Sequence, residues 1–241
     1  MVYALIALCG IVAGAISGVV GTGSSIILLP VLSLAFGPKA AIPIMGIAAI
    51  VGNASRVVVW RRQISLRAFA CYSVTAVPAA VLGVRTLWIM PAEISNFCIG
   101  LFFFVLIGLR RGMRTRGLRL GPRQMAFTGG VVGYLAGVVY STGPLTIPIF
   151  AGFGLAKGAL LATEAAASIA VHLAKTFAFG AVGGLPLPVL CNGLVVGATL
   201  AVGTFLGKRF VLGMSEATFS LLIDAMLACA GLVMTGNALL G

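Results

Sequence analysis

Two cationic side chains lie inside apolar stretches of the chain, each with a polar neighbour three residues before it. Asn53 precedes Arg56 and His172 precedes Lys175, so on a helix each pair shares one face. Charges inside a bilayer are costly and usually face a pathway or a partner. Arginine offers a bidentate fork and lysine a point charge, and the four residues together predict an oxyanion site. The alternative is that both cations extend to the membrane interfaces.

A second set of candidate residues comes from a helix-break pattern that occurs twice, about a hundred and twenty residues apart. In the first copy, Gly10, Gly14 and Gly18 precede the break Gly21-Thr-Gly-Ser-Ser, and Pro30 follows it. In the second copy, Gly129, Gly133 and Gly137 precede the break Ser141-Thr-Gly-Pro, and Pro148 follows it. Superposing the glycines also matches Arg56 with Lys175 and Asn53 with His172. Paired breaks of this kind indicate a transporter site built from half-helices.

The residues at the two breaks are small and rich in hydroxyl groups. Helix N-termini carry unpaired N–H donors and partial positive charge, so two that converge from opposite sides would form an anion site. The residues predicted to line it are Gly23, Ser24, Ser25, Ser141, Thr142 and Gly143. The alternative is that the glycines only allow close helix packing and that Ser24 and Thr142 cap their helices.

Two acidic residues lie inside apolar segments, Glu164 and Asp224. Asp224 lies two turns into its predicted helix and is the candidate for proton coupling or for pairing with Lys175 or Arg56. Glu164 falls in the first turn of a helix predicted to begin at Leu161, where favourable interaction with the helix dipole is a sufficient explanation. We therefore predict a structural role for Glu164.

The elements that must position these residues are predicted to be membrane helices. The chain has 241 residues, of which 61% are hydrophobic and 8% charged, and a mean hydropathy of +1.18, so it predicts an all-α polytopic membrane protein. Six stretches are long enough to cross a bilayer: Ala41 to Trp60, Ala68 to Leu87, Ala92 to Leu109, Leu161 to Ala181, Pro188 to Gly207 and Ala217 to Asn237. Two others, Ala4 to Gly37 and Met125 to Gly154, contain the breaks. Each is a pair of short helices or a re-entrant hairpin.

The order of these segments predicts two inverted repeats. Each interrupted stretch returns to its own side and is followed by three crossings, so the second half is turned upside down. The predicted divisions are a first repeat over 1–109, a basic cytoplasmic linker over 110–124 and a second repeat over 125–241. With both termini outside, nearly all loop cations are cytoplasmic, and only Lys39 and Arg85 fall on the other face.

Several function classes have no support in the sequence. The net charge of +12 comes from short cationic stretches between apolar runs, which is a topology signal and not a nucleic-acid patch. Five single cysteines without C-x-x-C spacing predict neither disulfides nor a metal site. Nothing resembles a nucleotide loop or a nucleophile triad, so we expect no cofactor and no enzyme activity. The expected partners are the lipid bilayer and a small anion.

These features resemble the TauE/SafE family of membrane permeases over nearly the whole chain. The resemblance rests on Ser17-Gly18, on Gly21-x-Gly23 leading to Pro30, and on Gly133 to Gly137 with Pro148. It also includes the small residues Gly197, Gly203 and Gly207 before Lys208. Where the family commonly carries a longer glycine run, this chain has Ser24-Ser25 and Tyr140 to Pro144, which keeps a break and changes the donors that line it.

The resemblance implies a secondary transporter of sulfite, thiosulfate or organosulfonates such as sulfoacetate, driven by the proton gradient or by the substrate's own gradient. We expect it to export a sulfur oxyanion or sulfonate by alternating access, from a bacterial inner membrane. Two alternatives remain open: an anion channel built on the same breaks, and a non-transporting partner subunit. A homodimer through the glycine-bearing faces is a further expectation, although the same glycines would serve internal packing equally well.

Overall fold

The computed structural model describes residues 2–20, 24–115, 119–139 and 142–211, together with nine residues between 221 and 236. This part of the chain is all-helical and has no strand, as predicted. A short 3-10 turn, Arg61–Gln63, follows the third helix. The α-helices are α1 Val2–Val20, α2 Ser24–Phe36, α3 Pro38–Trp60, α4 Leu66–Ile89, α5 Ala92–Thr115, α6 Pro122–Val138, α7 Gly143–Gly152, α8 Lys157–Ala181 and α9 Leu187–Val211.

Five of the six predicted full-length helices lie within α3, α4, α5, α8 and α9, and most of Ala217 to Asn237 lies outside the described residues. Helix α5 continues to Thr115, so the first residues of the predicted basic linker are helical. Among the described residues, three helices are long and apolar enough to cross a membrane: Lys39–Val58, Leu66–Ile89 and Leu187–Leu206. Helix α8 has 25 residues but is not one of the three, because Glu164, His172 and Lys175 make it more polar.

Each interrupted stretch consists of a long helix followed by a short one. Helix α2 has 13 residues and α7 has 10. At about 1.5 Å of rise per residue, both are well short of the roughly 30 Å of a bilayer core. The starts of these two short helices therefore lie within the depth of the protein, and they are the elements that reach the site described below.

The first helix of each interrupted stretch packs against a distant helix. Helix α1 lies along α9, and α6 lies along α4. A Cβ atom at Gly14 of α1 would overlap the carbonyl of Leu200, and one at Gly133 of α6 would overlap the carbonyl of Ala76. The backbones therefore approach so closely that only glycine fits, which is the close packing named above as the alternative explanation of these glycines.

Helices α3 and α8 pack against each other at the centre of the bundle. Helix α9 covers α3 and α4 covers α8, so both central helices are enclosed by the α1–α9 and α4–α6 pairs. The core between them is built from small and branched side chains, such as Ala48 of α3 and Ala165 of α8, which are fully buried. This arrangement turns one face of α3 and one face of α8 inward.

Among the described residues, exposed cations lie at both ends of the bundle. At one end, the backbone N–H of Ser65 donates to Thr163 Oγ1 at 2.9 Å, which holds the start of α4 beside α8, and the exposed cations Arg61, Arg62 and Arg67 lie here. At the other end, Lys39 Nζ lies 5.8 Å from the centre of the Trp88 ring. The cations predicted for one face of the membrane are thus separated from Lys39.

Candidate functional site

A cavity of about 60 Å³ lies where the starts of α2 and α7 meet the inner faces of α3 and α8. At roughly 15 Å³ per water, such a space holds a few waters or one small anion. Its walls come from six helices and from the residue that precedes α7. They are Ser24, Ser25, Met45, Ala49, Asn53, Arg56, Tyr72, Ala136, Thr142, Gly143, Thr146, Glu164, Ser168, Val171 and His172.

Arg56 is the cation of this cavity. Its Nη1 donates to Glu164 Oε2 at 3.0 Å, and its Nη2 donates to Asn53 Oδ1 on the same helix. The arginine side chain is 9% exposed and the glutamate 2%, so this ion pair is almost fully enclosed. Arg56 therefore does not extend to the membrane interface, which was the alternative explanation for it.

Two hydroxyl groups hold the Glu164 carboxylate through the oxygen that does not face Arg56. Thr146 Oγ1 lies 2.9 Å from Glu164 Oε1, and Ser168 Oγ lies 2.8 Å from the same oxygen. Thr146 Oγ1 also lies 2.9 Å from the carbonyl oxygen of Gly143, in the first turn of α7. The carboxylate thus joins α3, α7 and α8, with one oxygen facing the arginine and the other facing two hydroxyls.

The first-turn position predicted for Glu164 is wrong. Helix α8 begins at Lys157, four residues before the predicted start, so Glu164 lies about two turns into the helix and not in its first turn. The N-terminal dipole falls off within the first turn and does not explain a carboxylate at this depth. The sequence signal that identifies Glu164 is the one applied to Asp224, an acid inside an apolar segment.

Most of the predicted site residues in the described part of the chain line this one cavity. They are Ser24, Ser25, Asn53, Arg56, Thr142, Gly143 and His172. Gly23 and Ser141 lie outside the described residues. Lys175 is 1% exposed, and it is not among the described residues that line the cavity. Its burial also excludes the alternative in which it reaches the surface.

Three hydroxyl-bearing lining residues were not predicted: Thr146, Ser168 and Tyr72. Single hydroxyls in apolar helices carry no sequence signal of their own, because most of them bond to a carbonyl one turn back, as Thr176 does to His172. Tyr72 is 3% exposed, and its ring packs at 5.0 Å from that of Phe150. Asp224 is 9% exposed and is not among the lining residues.

Thr142 precedes α7, but its side chain makes no capping hydrogen bond to that helix. This contradicts the alternative in which Thr142 is a structural cap. Pro144 occupies the first turn, where the absence of its N–H leaves no unpaired donor. The start of α7 is therefore open to the cavity, with Thr142 and Gly143 both in the wall.

The same helical face of α3 and of α8 lines the cavity. The superposition that matches Gly10 with Gly129 also matches Met45 with Glu164, Ala49 with Ser168, and Asn53 with His172. All six of these residues are in the cavity wall. Of the matched pair Arg56 and Lys175, only Arg56 is in the cavity wall. The two faces are thus equivalent in position and different in chemistry.

A smaller cavity of about 20 Å³ adjoins the first on the side of α1 and α9. The two share four residues, Ser24, Ala49, Asn53 and Arg56. The far wall of the smaller cavity adds two hydroxyl residues, Ser17 and Thr204. Arg56 and Asn53 therefore stand between two polar spaces, and the guanidinium borders both.

Chemically, the site is a neutralised cation surrounded by hydroxyls. Two helix N-termini and Arg56 favour an anion, whereas Glu164 opposes one until its hold on Arg56 is released. Within the described residues, no cluster of three or more His, Cys, Asp or Glu side chains could hold a metal ion. The arrangement suits reversible binding of a small oxyanion.

The comparison with family models gives one match: the model described as sulfite exporter TauE/SafE matches residues 6–234. The matched range includes both breaks, the ion pair and the cavity. The comparison with curated proteins gave no match at all, and neither did the comparison with solved structures. The resemblance stated from the glycine and proline positions is confirmed.

Proposed function

The chain belongs to the sulfite exporter TauE/SafE family of membrane transporters, and from this premise we propose that it is a secondary transporter that exports a small sulfur oxyanion or sulfonate. The substrate would bind in the cavity between α3 and α8, with one of its oxygens on Arg56. Sulfite, thiosulfate and sulfoacetate-like anions are small, have several acceptor oxygens, and fit the bidentate geometry of a guanidinium.

The observation that carries this proposal is the meeting of two half-helix N-termini with Arg56 in one cavity. Ser24 and Ser25 begin α2, and Thr142 and Gly143 begin α7. Backbone N–H groups at such ends cannot be satisfied by lipid, so they must face protein, water or a ligand. Broken helices that point their N-termini at an anion are the arrangement expected of a transporter site.

We propose further that the two halves form inverted repeats that rock against each other. In support, exchanging α1 with α6, α3 with α8 and α4 with α9 leaves the packing of the long helices the same, because α1–α9 becomes α4–α6. The matched faces of α3 and α8 meet at the cavity, on the axis about which such a motion would turn. Alternating access would then expose the cavity to one side at a time.

The proposed location is a bacterial inner membrane with both termini outside. The exposed cations Arg61, Arg62 and Arg67 would then face the cytoplasm, and Lys39 would lie on the opposite side. Single cysteines are introduced at Arg62 and at Lys39 in a variant whose five native cysteines are replaced by serine. Labelling by a membrane-impermeant reagent tests the orientation, because only the cysteine at Lys39 should react in intact cells.

Counterflow in proteoliposomes tests the transport function. Vesicles are loaded with unlabelled sulfite and diluted into labelled sulfite, and thiosulfate, methanesulfonate and an amine are added in turn as competitors. We expect trans-accumulation of label that the sulfur anions block and the amine does not. Absence of counterflow in sealed vesicles with folded protein would overturn the carrier proposal, and currents much faster than carrier turnover would indicate a channel instead.

A further inference from the structure

We propose that Glu164 is the exchangeable counter-ion of the site: its carboxylate occupies Arg56 when the cavity is empty, and it takes up a proton when an anion binds. The inference rests on the transport function proposed above and adds the coupling ion. It assigns to Glu164 the role that the sequence suggested for Asp224.

The geometry makes the anion and Glu164 competitors for the same donor. Arg56 Nη1 lies 3.0 Å from Glu164 Oε2 in the cavity wall. An oxyanion that takes its hydrogen bond from Nη1 must displace this oxygen. Asn53 keeps its bond to Nη2 in either case, so the guanidinium stays oriented while its partner changes.

A displaced carboxylate cannot remain ionised beside the anion. The glutamate is 2% exposed, and both negative charges would face the Arg56 guanidinium. Bringing a second anion to this pair gives the three groups a net negative charge, which is unfavourable in a buried site without a compensating proton. Protonation of Glu164 removes the conflict and restores one negative charge for each positive charge.

The hydroxyls around Glu164 suit both of its protonation states. Thr146 Oγ1 is 2.9 Å from Glu164 Oε1 and 2.9 Å from the carbonyl oxygen of Gly143. When Glu164 is ionised, the threonine proton points at Oε1. When Oε1 carries a proton, the threonine proton turns to Gly143, and its oxygen accepts from the carboxyl group. No backbone movement is needed for this change.

The proton is therefore accounted for at each step. It comes from the water on the side to which the cavity is open, binds Glu164 as the anion binds Arg56, and leaves on the other side when the anion leaves and the ion pair forms again. One proton moves with each anion in the same direction, so export is driven by the anion's own gradient and an inward proton gradient opposes it. Transport of a monovalent sulfonate is then electroneutral.

Other titratable groups near Glu164 are few in the described part of the chain. Arg56 faces it from α3, Tyr72 from α4, and His172 lies in the same cavity wall on α8. Helix α7 has no titratable side chain. Protonation of His172 would therefore resemble the proposed protonation of Glu164, and the test must distinguish these two residues.

The test uses methanesulfonate, which has no titratable group over the working range, in proteoliposomes with the outside more acidic than the inside. Wild-type protein should accumulate labelled methanesulfonate, and clamping the membrane potential should not change this. Glu164→Gln should lose the acid-driven accumulation, and any counterflow that it shows should no longer vary with pH. The matched control is Glu93→Gln, which removes an exposed glutamate in the first turn of α5 and should behave as wild type.

Calorimetry on the wild-type protein gives a second measurement that does not depend on the variant folding. Titration with methanesulfonate in buffers of different ionisation enthalpy should show uptake of about one proton per anion where Glu164 is ionised, with apparent affinity falling about tenfold per pH unit there. No proton uptake on binding would overturn the proposal. So would acid-driven accumulation that survives in Glu164→Gln but is lost in His172→Asn or Asp224→Asn. Absence of wild-type counterflow would instead contradict the transport function itself.

Discussion

Helices α3 and α8, which occupy matched positions in the proposed repeats, face the same cavity, yet they bring opposite charges to it. Helix α3 presents Met45, Asn53 and Arg56, whereas α8 presents Glu164 and His172. The scaffolds around them are alike, since α1 and α6 both meet a partner helix through glycines at which a Cβ atom would overlap the partner's backbone. The comparison teaches that the packing is shared by both halves while the chemistry is divided between them.

This division explains why the matched cations differ. Arg56 has an acid opposite it at Glu164, whose own matched residue is the apolar Met45. Arg56 and Glu164 form an ion pair in the cavity wall, and Lys175 is buried outside that wall. A site with one arginine and one displaceable acid can change its charge by one proton.

The largest expected effect comes from removing the α3 side of the pair. Arg56→Ala leaves the Glu164 carboxylate buried without its cation, so we expect a loss of about 3–5 kcal/mol of stability together with loss of counterflow. Thermal unfolding in detergent measures the first. The double variant Arg56→Gln with Glu164→Gln should recover folded protein but not anion binding, and Arg67→Ala, at an exposed arginine, is the control. An Arg56→Ala protein as stable as wild type would contradict the buried pair.

A smaller effect is expected from the hydroxyl that supports the α8 side. Thr146→Val keeps the shape of the side chain and removes the donor to Glu164, so it should cost about 1.5–3 kcal/mol, as hydrogen bonds to charged groups do. Thr128→Val removes a hydroxyl that bonds to the carbonyl of Met125 in its own helix, and it should cost less. Equal losses in the two variants would show that the bond to Glu164 adds nothing.

The likeness of the two scaffolds can be tested with one substitution made at three places. Gly133→Ala places a methyl group against the backbone of Ala76, and Gly14→Ala places one against Leu200, so each should cost about 1–3 kcal/mol. Gly130→Ala adds a methyl with ordinary contact to Thr75 and should be nearly neutral. A difference in unfolding temperature between Gly133→Ala and Gly14→Ala would show that the α4–α6 and α1–α9 contacts are not equivalent.

The smallest effect is expected at Lys175. Because Lys175 is outside the cavity wall, Lys175→Gln should weaken binding of sulfite by less than about tenfold, or 1.4 kcal/mol, whereas Arg56→Gln should weaken it by more. The shift of the unfolding temperature with added sulfite measures both affinities. A larger loss of sulfite affinity in Lys175→Gln would show that Lys175 also contributes substantially to anion binding.

The sequence predicted the helices well because hydrophobic length and Gly/Pro breaks are local properties. It also predicted which residues at the breaks reach the cavity, since helix ends are marked by Ser, Thr, Gly and Pro. It could not distinguish Arg56, which lines the cavity, from Lys175, which does not. Both have the same local surroundings in the sequence, and only tertiary packing separates them. The error on Glu164 came from a helix start placed four residues late, which moved a buried acid into a first turn.

The glycine contacts also govern the order in which the protein can assemble during synthesis. Helix α6 follows α4 closely in the chain, so their close-fitting surfaces can meet while the ribosome is still translating. Helix α1 must wait for α9, which emerges after nearly all of the described helices have been made. Helix α1 is therefore among the last of the described helices to find its partner, and until then its glycine face needs lipid, a chaperone or the insertion machinery as a temporary neighbour.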